Sequence, residues 1–133
     1  MVNNSVCIFA ESGEYVKFHN MLSITMASVA NDMEVNIFFS YSALEKLKKE
    51  KINEMSFENI ELKNKFNNAI NLNKIQNIEQ MIKTLKETGL VKFYVCSASL
   101  NIMNIDENDL FVVDGIMGPV SYTHLTLPTS DLV

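Results

Sequence analysis

Short runs of strand composition alternate along this chain with longer segments that have helical periodicity. The strand-like runs are residues 6–10, 34–39, 91–95 and 110–113, all rich in apolar, β-branched and aromatic residues. Strands that alternate with helices form parallel sheets, because a parallel pair needs a crossover connection that is most often a helix. The pattern therefore predicts an α/β fold with a mainly parallel sheet and helices on both of its faces.

The helical segments are identified by apolar periodicity and by capping residues. Asn77 followed three residues later by Gln80 is a capping box, and Gly89 is a typical terminator of the helix that begins there. Ser42 and Glu45 have the same spacing and predict a helix start at Ser42. The predicted helices cover residues 14–31, 42–51 and 77–89, with a weakly amphipathic, Asn-rich helix within 51–74 and a short helical turn at 104–109.

Composition restricts the number of domains and the classes of partner. With 133 residues, of which 47% are hydrophobic, the chain can build one domain with a substantial core. A net charge of -5 and the absence of Arg argue against a nucleic-acid surface. The most lipid-like stretch, residues 21–30, is far short of the roughly 20 residues that span a bilayer. Because the start of the chain also lacks a secretory signal, we expect a cytoplasmic protein with no membrane span.

Residues 120–133 differ in composition from the rest of the chain. They contain no Asn, Lys or Ile, which the preceding sequence uses heavily. The string resembles a translated transposase adapter from sequencing-library preparation, and a genuine tail is the alternative. We therefore predict a single domain over residues 1–119, exclude residues 120–133 with His124 from the fold, and expect the natural C-terminus to be missing.

Cys96 is the candidate reactive residue. It follows the strand-like run at 91–95 and precedes the small residues Ser97 and Ala98, which can begin a helix. The N–H groups of Ser97 and Ala98 would then face the sulfur and favour the thiolate over the thiol. Cys7, in contrast, lies inside the first strand and is expected to be a buried, inert thiol.

Other chemistry has weaker support. Ser12 and Gly13 follow the first strand, so they would lie with Cys96 at the carboxyl edge of a parallel sheet. This pair alone is too short a signal for a phosphate loop or a hydrolase. His19 is more typical of a satisfied or surface histidine than of a ligand or base. Two cysteines are too few for a zinc site without histidine, so no metal or organic cofactor is predicted, and both are expected to remain thiols.

With these residues in place, the chain resembles the DsrE/DsrF/DsrH-like family of small sulfur-relay proteins, in particular its DsrE-like, peroxiredoxin-like branch. The resemblance lies in Ser12 with Gly13, in residues 35–40, and in residues 96–103 continued through residues 109–110. It implies a three-layer α/β/α sandwich of the flavodoxin-like class with about five strands. It also implies that Cys96 is the sulfur-carrying cysteine of a homo-oligomer that exchanges sulfur with persulfide donors and acceptors, without a cofactor.

The sequence departs from the family pattern at three places. Residues 31–33 stand where relatives usually have a Gly turn, and Tyr41 replaces a common aromatic-Gly pair. The usual closing helix after Gly118 is absent. This third departure concerns the completeness of the sheet and any oligomer contact made by the C-terminus.

Two functions are compatible with the sequence. In the first, the Cys96 thiolate attacks a persulfide donor, holds the sulfane sulfur and passes it to a partner cysteine, while the Ser97 and Ala98 N–H groups stabilise the anion. In the second, the protein is a non-catalytic, oligomeric binding or assembly subunit whose cysteine is incidental. The Met-rich first helix, with Met21 and Met26, would then supply an adaptable interface.

Overall fold

The computed structural model describes residues 4–118 and, near the C-terminus, the backbone of residues 130–132. Its elements in chain order are β1 (Ser5–Ala10), α1 (Tyr15–Ala30), β2 (Glu34–Phe39), α2 (Tyr41–Lys46), α3 (Ile60–Asn71), α4 (Ile78–Glu87), β3 (Val91–Cys96), α5 (Ser97–Met103), a 3₁₀ turn (Glu107–Asp109), β4 (Gly115–Met117) and β5 (Ser130–Leu132). Within this part of the chain the strands form one parallel sheet in the order β4-β3-β2-β1-β5. The predicted α/β fold on a mainly parallel sheet is confirmed.

One face of the sheet carries the main hydrophobic core. The parallel register aligns Val6 of β1 with Val35 of β2, and Val35 with Val91 of β3. Because side chains alternate between faces, the next residues on this face lie two positions further along each strand. The strand members of the core are Val6, Ile8, Val35, Ile37, Phe39, Val91, Phe93 and Val95. Helices α1, α2 and α4 cover them with Phe18, Leu22, Leu44, Ile82 and Leu85, among others.

The opposite face carries a ladder of aromatic rings. Phe9, Phe38 and Tyr94 are aligned across β1, β2 and β3. The Phe38 ring stacks on both neighbours, with its centroid 5.3 Å from that of Phe9 and 5.2 Å from that of Tyr94. Cys7 and Cys96 each lie two residues from a member of this ladder, so both cysteines belong to the same face. The sheet therefore separates both thiols from the main core.

Capping and an ion pair explain how α4 leads into β3. The predicted capping box is confirmed, because the Gln80 N–H donates to the Asn77 side chain at 2.9 Å and the Asn77 N–H donates to the Gln80 side chain at 3.0 Å. Near the end of α4, the Lys86 Nζ lies 2.6 Å from an Asp114 carboxylate oxygen. The same oxygen accepts the Phe93 N–H at 2.7 Å. Asp114 thus ties α4 to β3 immediately before β4 begins.

The predicted strand at residues 110–113 is wrong. Leu110 makes an isolated antiparallel bridge with Lys48, and β4 instead lies at Gly115–Met117. The side chains of residues 111–113 pack against the main core from a loop, which explains their apolar character. Gly115 is the first residue of β4.

Two helix predictions also need correction, while the helical turn predicted at 104–109 is confirmed as the 3₁₀ turn. Helix α2 ends at Lys46 and is shorter than the predicted segment 42–51. Its N-cap is Ser40, and the Ser42 hydroxyl bonds to the loop after β1 instead of forming a capping box with Glu45. Helix α3 occupies only residues 60–71 of the predicted segment 51–74, and none of its residues is buried.

Two of the departures from the family pattern fall at positions with positive φ. Asp32 has φ 59° and Tyr41 has φ 49°. This left-handed region favours glycine and costs a residue with a side chain about 1–2 kcal/mol. Asp32 and Tyr41 therefore keep backbone conformations that favour glycine.

Most of residues 120–133 lie outside the described part of the chain. The described part of this segment is β5, whose backbone pairs in parallel with Ser5, Val6 and Cys7 of β1. The adapter origin of the segment stays a prediction, as does the domain boundary at residue 119.

Deletion of residues 120–133 tests the adapter interpretation. We expect the Tm, followed by circular dichroism, to change by less than about 2 °C, because a segment not selected with this fold should add little packing energy. A variant with residues 120–133 replaced by a Gly/Ser linker of equal length separates the effect of sequence from that of length. A fall of about 4 °C or more in both variants, equivalent to about 1 kcal/mol, would instead identify β5 as a native, stabilising strand.

Candidate functional site

Cys96 lies where β3 passes into α5. It is the last residue of β3 and the N-cap of α5, with an extended backbone (φ -78°, ψ 122°), so the helix starts at Ser97 as the sequence predicts. The first N–H groups of α5 belong to Ser97 and Ala98, although the Cys96 side chain makes no capping hydrogen bond to the helix. Cys96 is 8% exposed, whereas Cys7 is 0% exposed. Of the two thiols, Cys96 is therefore the more accessible.

The neighbouring strands place Cys96 at the carboxyl edge of the sheet. In β4, Met117 is aligned with Cys96. In β2, the last aligned pair is Phe39 with Val95, so Ser40 comes next to Cys96 at this edge. The thiol thus lies between the start of α2 and the end of β4, at the edge where parallel sheets commonly place their ligands.

A buried hydroxyl joins α5 to the start of α2. Ser99 is 1% exposed, and its Oγ accepts a hydrogen bond from the Tyr41 N–H at 3.2 Å. Ser99 belongs to the first turn of α5, so this bond holds the N–H groups beside Cys96 in place relative to β2. No sequence pattern distinguishes Ser99, because it is one serine in a run of small residues.

The Ser12–Gly13 loop is closed by its own hydrogen bonds. The Gly13 N–H donates to Ser42 Oγ at 2.9 Å, and Ser42 Oγ donates to the Glu11 carbonyl at 3.1 Å. The Glu14 N–H donates to Ser12 Oγ at 3.2 Å. In a nucleotide-binding loop, N–H groups at this place would bind phosphate. Here the hydroxyl oxygens of Ser42 and Ser12 already accept these N–H groups.

A cleft of about 510 Å³ opens beside this loop. Its walls come from Ser12 and Gly13, from Ser42 and Lys46 of the α2 region, and from residues 51–58. Cys96 does not line it, because β2 lies between β1 and β3 in the sheet. The structure therefore places Ser12 and Gly13 at a cavity separate from Cys96, although both lie at the same edge of the sheet.

Lys46 is a buried lysine that lines this cleft and that was not among the residues predicted from the sequence. It is 5% exposed, and its Nζ donates to the Lys51 carbonyl at 2.9 Å and to the Glu54 carbonyl. The Nζ also lies 5.4 Å from the centroid of the Tyr15 ring. Burial lowers the pKa of Lys46 to about 8, and the charge of Glu54 opposes this shift only in part. The available signal in the sequence is its place three residues after Ala43, on the buried side of a short helix.

His19 belongs to an aromatic cluster. Its ring centroid lies 6.2 Å from that of Tyr15 and 5.2 Å from that of Phe66, and Phe57 packs 5.1 Å from Tyr15. Burial lowers the pKa of His19, which favours the neutral ring. The expectation of a satisfied histidine agrees with this packing. Among the residues that the structure describes, no three His, Cys, Asp or Glu side chains are grouped as metal ligands.

Comparisons with known proteins concern both the family and the fold. The model of the DsrE/DsrF-like family matches residues 4–127. The structure of the protein of unknown function MTH1491 from Methanobacterium thermoautotrophicum has a TM-score of 0.64 at 9% identity, over 98% of this chain and 100% of that one. The ychN protein from E. coli has a TM-score of 0.64 at 16% identity, over 99% and 100%. At these identities the likeness shows the fold alone, and no curated protein matches the chain significantly.

Gly13 is required by close approach of two backbones. A Cβ at this position would lie 2.3 Å from the Ser42 carbonyl oxygen, too close for the loop and α2 both to keep their places. We expect Gly13→Ala to reduce the free energy of unfolding, measured by urea denaturation, by about 1–3 kcal/mol. Gly118→Ala is the matched control, because its Cβ would meet Ser97 Oγ at an ordinary 3.7 Å. Equal stability of the two variants would contradict the proposed contact between the loop and α2.

Proposed function

The chain belongs to the DsrE/DsrF-like family, and from this premise we propose that it is a small sulfur-relay protein that carries sulfane sulfur as a persulfide on Cys96. One observation supports the assignment to this residue more than any other. Cys96 lies at the carboxyl end of β3 and at the start of α5, followed directly by Ser97 and Ala98. A cysteine at such a junction has backbone N–H groups beside it that favour the anionic sulfur.

The proposed chemistry needs only thiols. The Cys96 thiolate attacks the outer sulfur of a donor persulfide, so that a new S–S bond forms on Cys96 and the donor leaves as a thiolate. In the second step an acceptor thiolate attacks the outer sulfur of the Cys96 persulfide, and Cys96 leaves as a thiolate. No net oxidation or reduction occurs across the two steps, so the proposal requires neither a metal nor an organic cofactor. The Ser97 and Ala98 N–H groups favour the Cys96 anion before the first step and after the second.

Ser12 and Gly13 are connected to the proposed sulfur site through Tyr41 and Ser42 at the start of α2. Gly13 bonds to Ser42, and Tyr41, the residue before Ser42, bonds to Ser99 in the first turn of α5. The loop after β1 is thereby connected to the helix start beside Cys96 through two hydrogen bonds and a short stretch of α2. We assign Ser12 and Gly13 a structural part in the sulfur site and no contact with sulfur.

The proposal also specifies the cellular compartment of the protein and the molecules with which it exchanges sulfur. We place the protein in the cytoplasm, where an unmodified thiol stays reduced, and we take persulfide-bearing proteins or small sulfur compounds as donors and acceptors. Nucleic acid is not a proposed partner, because the chain has a net charge of -5 and no Arg. Among the described residues, no helix has the length and apolar composition needed to cross a bilayer.

A second candidate function is a non-catalytic binding or assembly subunit. It is favoured by the burial of Cys96 and by large apolar side chains that stay exposed in the single chain. These side chains are Ile24, Tyr41, Ile60, Leu72, Ile102 and Ile116, with exposed fractions from 38% to 69%. Both candidates include self-association, in which burial of such side chains would stabilise the oligomer.

The two cysteines provide a direct test of the relay. With glutathione persulfide at neutral pH, we expect the mass of one added sulfur atom on the Cys96 peptide and none on the Cys7 peptide, because Cys7 is 0% exposed. Iodoacetamide should modify Cys96 at least about ten times faster than Cys7 in the folded protein. Cys96→Ser should abolish sulfur loading, and Cys7→Ser is the matched control that keeps it. Undiminished loading of Cys96→Ser, or equal reactivity of both thiols, would leave the binding subunit as the remaining candidate.

Self-association is measured separately. Sedimentation equilibrium at high protein concentration should give a mass above that of one chain, because burial of the exposed apolar side chains stabilises the oligomer. The variant that lacks residues 120–133 controls for any contact made by that segment. A purely monomeric mass in both versions would count against both the homo-oligomer and the assembly function.

A further inference from the structure

The sulfur proposal leaves Lys46 unused, although this residue combines burial with access to a cavity. Lys46 is the last residue of α2, is 5% exposed, and lines the cleft of about 510 Å³ beside the Ser12–Gly13 loop. Buried lysines are uncommon, because burial of an ammonium group is unfavourable unless it is well paired. The groups around its Nζ therefore decide what this amine can do.

Two backbone carbonyls orient the nitrogen. Lys46 Nζ donates to the Lys51 carbonyl at 2.9 Å and to the Glu54 carbonyl. A neutral primary amine has two N–H donors and one lone pair. When the carbonyls of Lys51 and Glu54 accept both donors, the lone pair is the position that remains for a ligand. These two bonds suit an ammonium group as well, so burial of the nitrogen, and not its acceptors, is what favours the neutral amine.

The charged groups that face the cleft are mostly acidic. Glu54 stabilises the ammonium form of Lys46, and the Tyr15 ring, 5.4 Å from Nζ, offers its face to the same form. Lys51 is already paired with Glu45 at 3.8 Å and with Glu54 at 3.9 Å. Glu14 and Glu58 also line the cleft. Burial outweighs the attraction of Glu54, so the pKa of Lys46 falls to about 8.

We propose that Lys46 is a nucleophilic amine that forms an imine with small, neutral aldehydes entering this cleft. The Nζ lone pair attacks the carbonyl carbon and forms a carbinolamine, which loses its oxygen as water to leave a C=N bond. The amine and the aldehyde together yield the imine and one water, with no oxidant or reductant. A carboxylate-bearing carbonyl compound is disfavoured, because four Glu and two Lys side chains line the cleft and Lys51 is already paired.

The first experiment compares lysines within the wild-type protein. The full chain is treated with propionaldehyde and cyanoborohydride at pH 7, and propylated lysines are mapped by mass spectrometry over time. An amine of pKa about 8 is about one-tenth neutral at pH 7, about two hundred times more than an ordinary lysine. Allowing for restricted access, we expect Lys46 to react at least about ten times faster than Lys51, which lines the same cleft. Labelling of Lys46 that is no faster than that of Lys51 would overturn the proposal and leave Lys46 as a structural link between α2 and residues 51–54.

Two further measurements test the pH dependence and the ligand class. The labelling rate of Lys46 should rise with pH through a midpoint near 8, while exposed lysines continue to gain reactivity towards their ordinary pKa of about 10.4. Glyoxylate, a small aldehyde that carries a carboxylate, should label Lys46 several-fold more slowly than propionaldehyde does. Faster labelling by glyoxylate would overturn the assignment to neutral aldehydes.

A variant checks that the fast reaction belongs to Lys46. In Lys46→Met, which keeps the length and apolar stem of the side chain, the fast labelling should be lost. Lys83→Met, on the exposed side of α4, is the control that should retain it. Persistence of the fast reaction in Lys46→Met would overturn the assignment. If Lys46→Met does not fold, the comparison of Lys46 with Lys51 in the wild-type chain decides.

Discussion

The parallel alignment of β1, β2 and β3 is the constraint on which the rest of this structure depends. It brings Val6, Val35 and Val91 side by side and repeats the match at every second residue along the strands. Each fully buried apolar side chain contributes about 1.5–3 kcal/mol to the hydrophobic driving force. A shift of one residue in any strand would turn its apolar side chains away from α1 and α4. The same alignment sends all three strands in one direction, so their carboxyl ends meet at one edge.

At that edge, the corner between β2 and α2 connects the two candidate sites. Ser42 bonds to the loop after β1, and Tyr41 bonds to Ser99 at the start of α5. Tyr41 keeps a positive φ that is unfavourable for its side chain, so the surrounding hydrogen bonds and packing must offset that cost. The corner holds the Ser12–Gly13 cleft on one side and Cys96 on the other. Changes in it should therefore affect both sites together.

Burial has opposite consequences for the reactivity of the two proposed nucleophiles, Lys46 and Cys96. Removal from water disfavours the charged form of any group. For Lys46 the uncharged amine is the proposed nucleophile, so burial favours its reactivity. For a cysteine the charged thiolate is the nucleophile. Cys96 therefore depends on the start of α5 beside it, whereas Cys7, in the middle of β1, has no helix start directly after it.

The sequence by itself determined the local features of this protein. Alternation of apolar runs with amphipathic segments predicted the α/β fold. The spacing of Asn77 and Gln80 predicted the capping box, and the change from apolar to small residues after Val95 predicted the position of Cys96 between β3 and α5. These features depend on residues near one another in the chain. Local patterns failed where distant partners decided the outcome. Residues 111–113 are apolar because they pack on the core from a loop, and Ser42 bonds to Gly13, which is 29 residues away, instead of capping α2.

The tertiary structure alone decided which polar groups face one another. Cys96 and the Ser12–Gly13 loop share an edge but not a cavity, because β2 lies between their strands. Lys46 stands in the sequence among several other lysines, and its place three residues after Ala43 does not by itself distinguish it from them. Its burial arises when the carbonyls of Lys51 and Glu54 fold back over the end of α2. The desolvation that lowers its pKa is a property of the enclosing fold, and a local sequence pattern does not contain it.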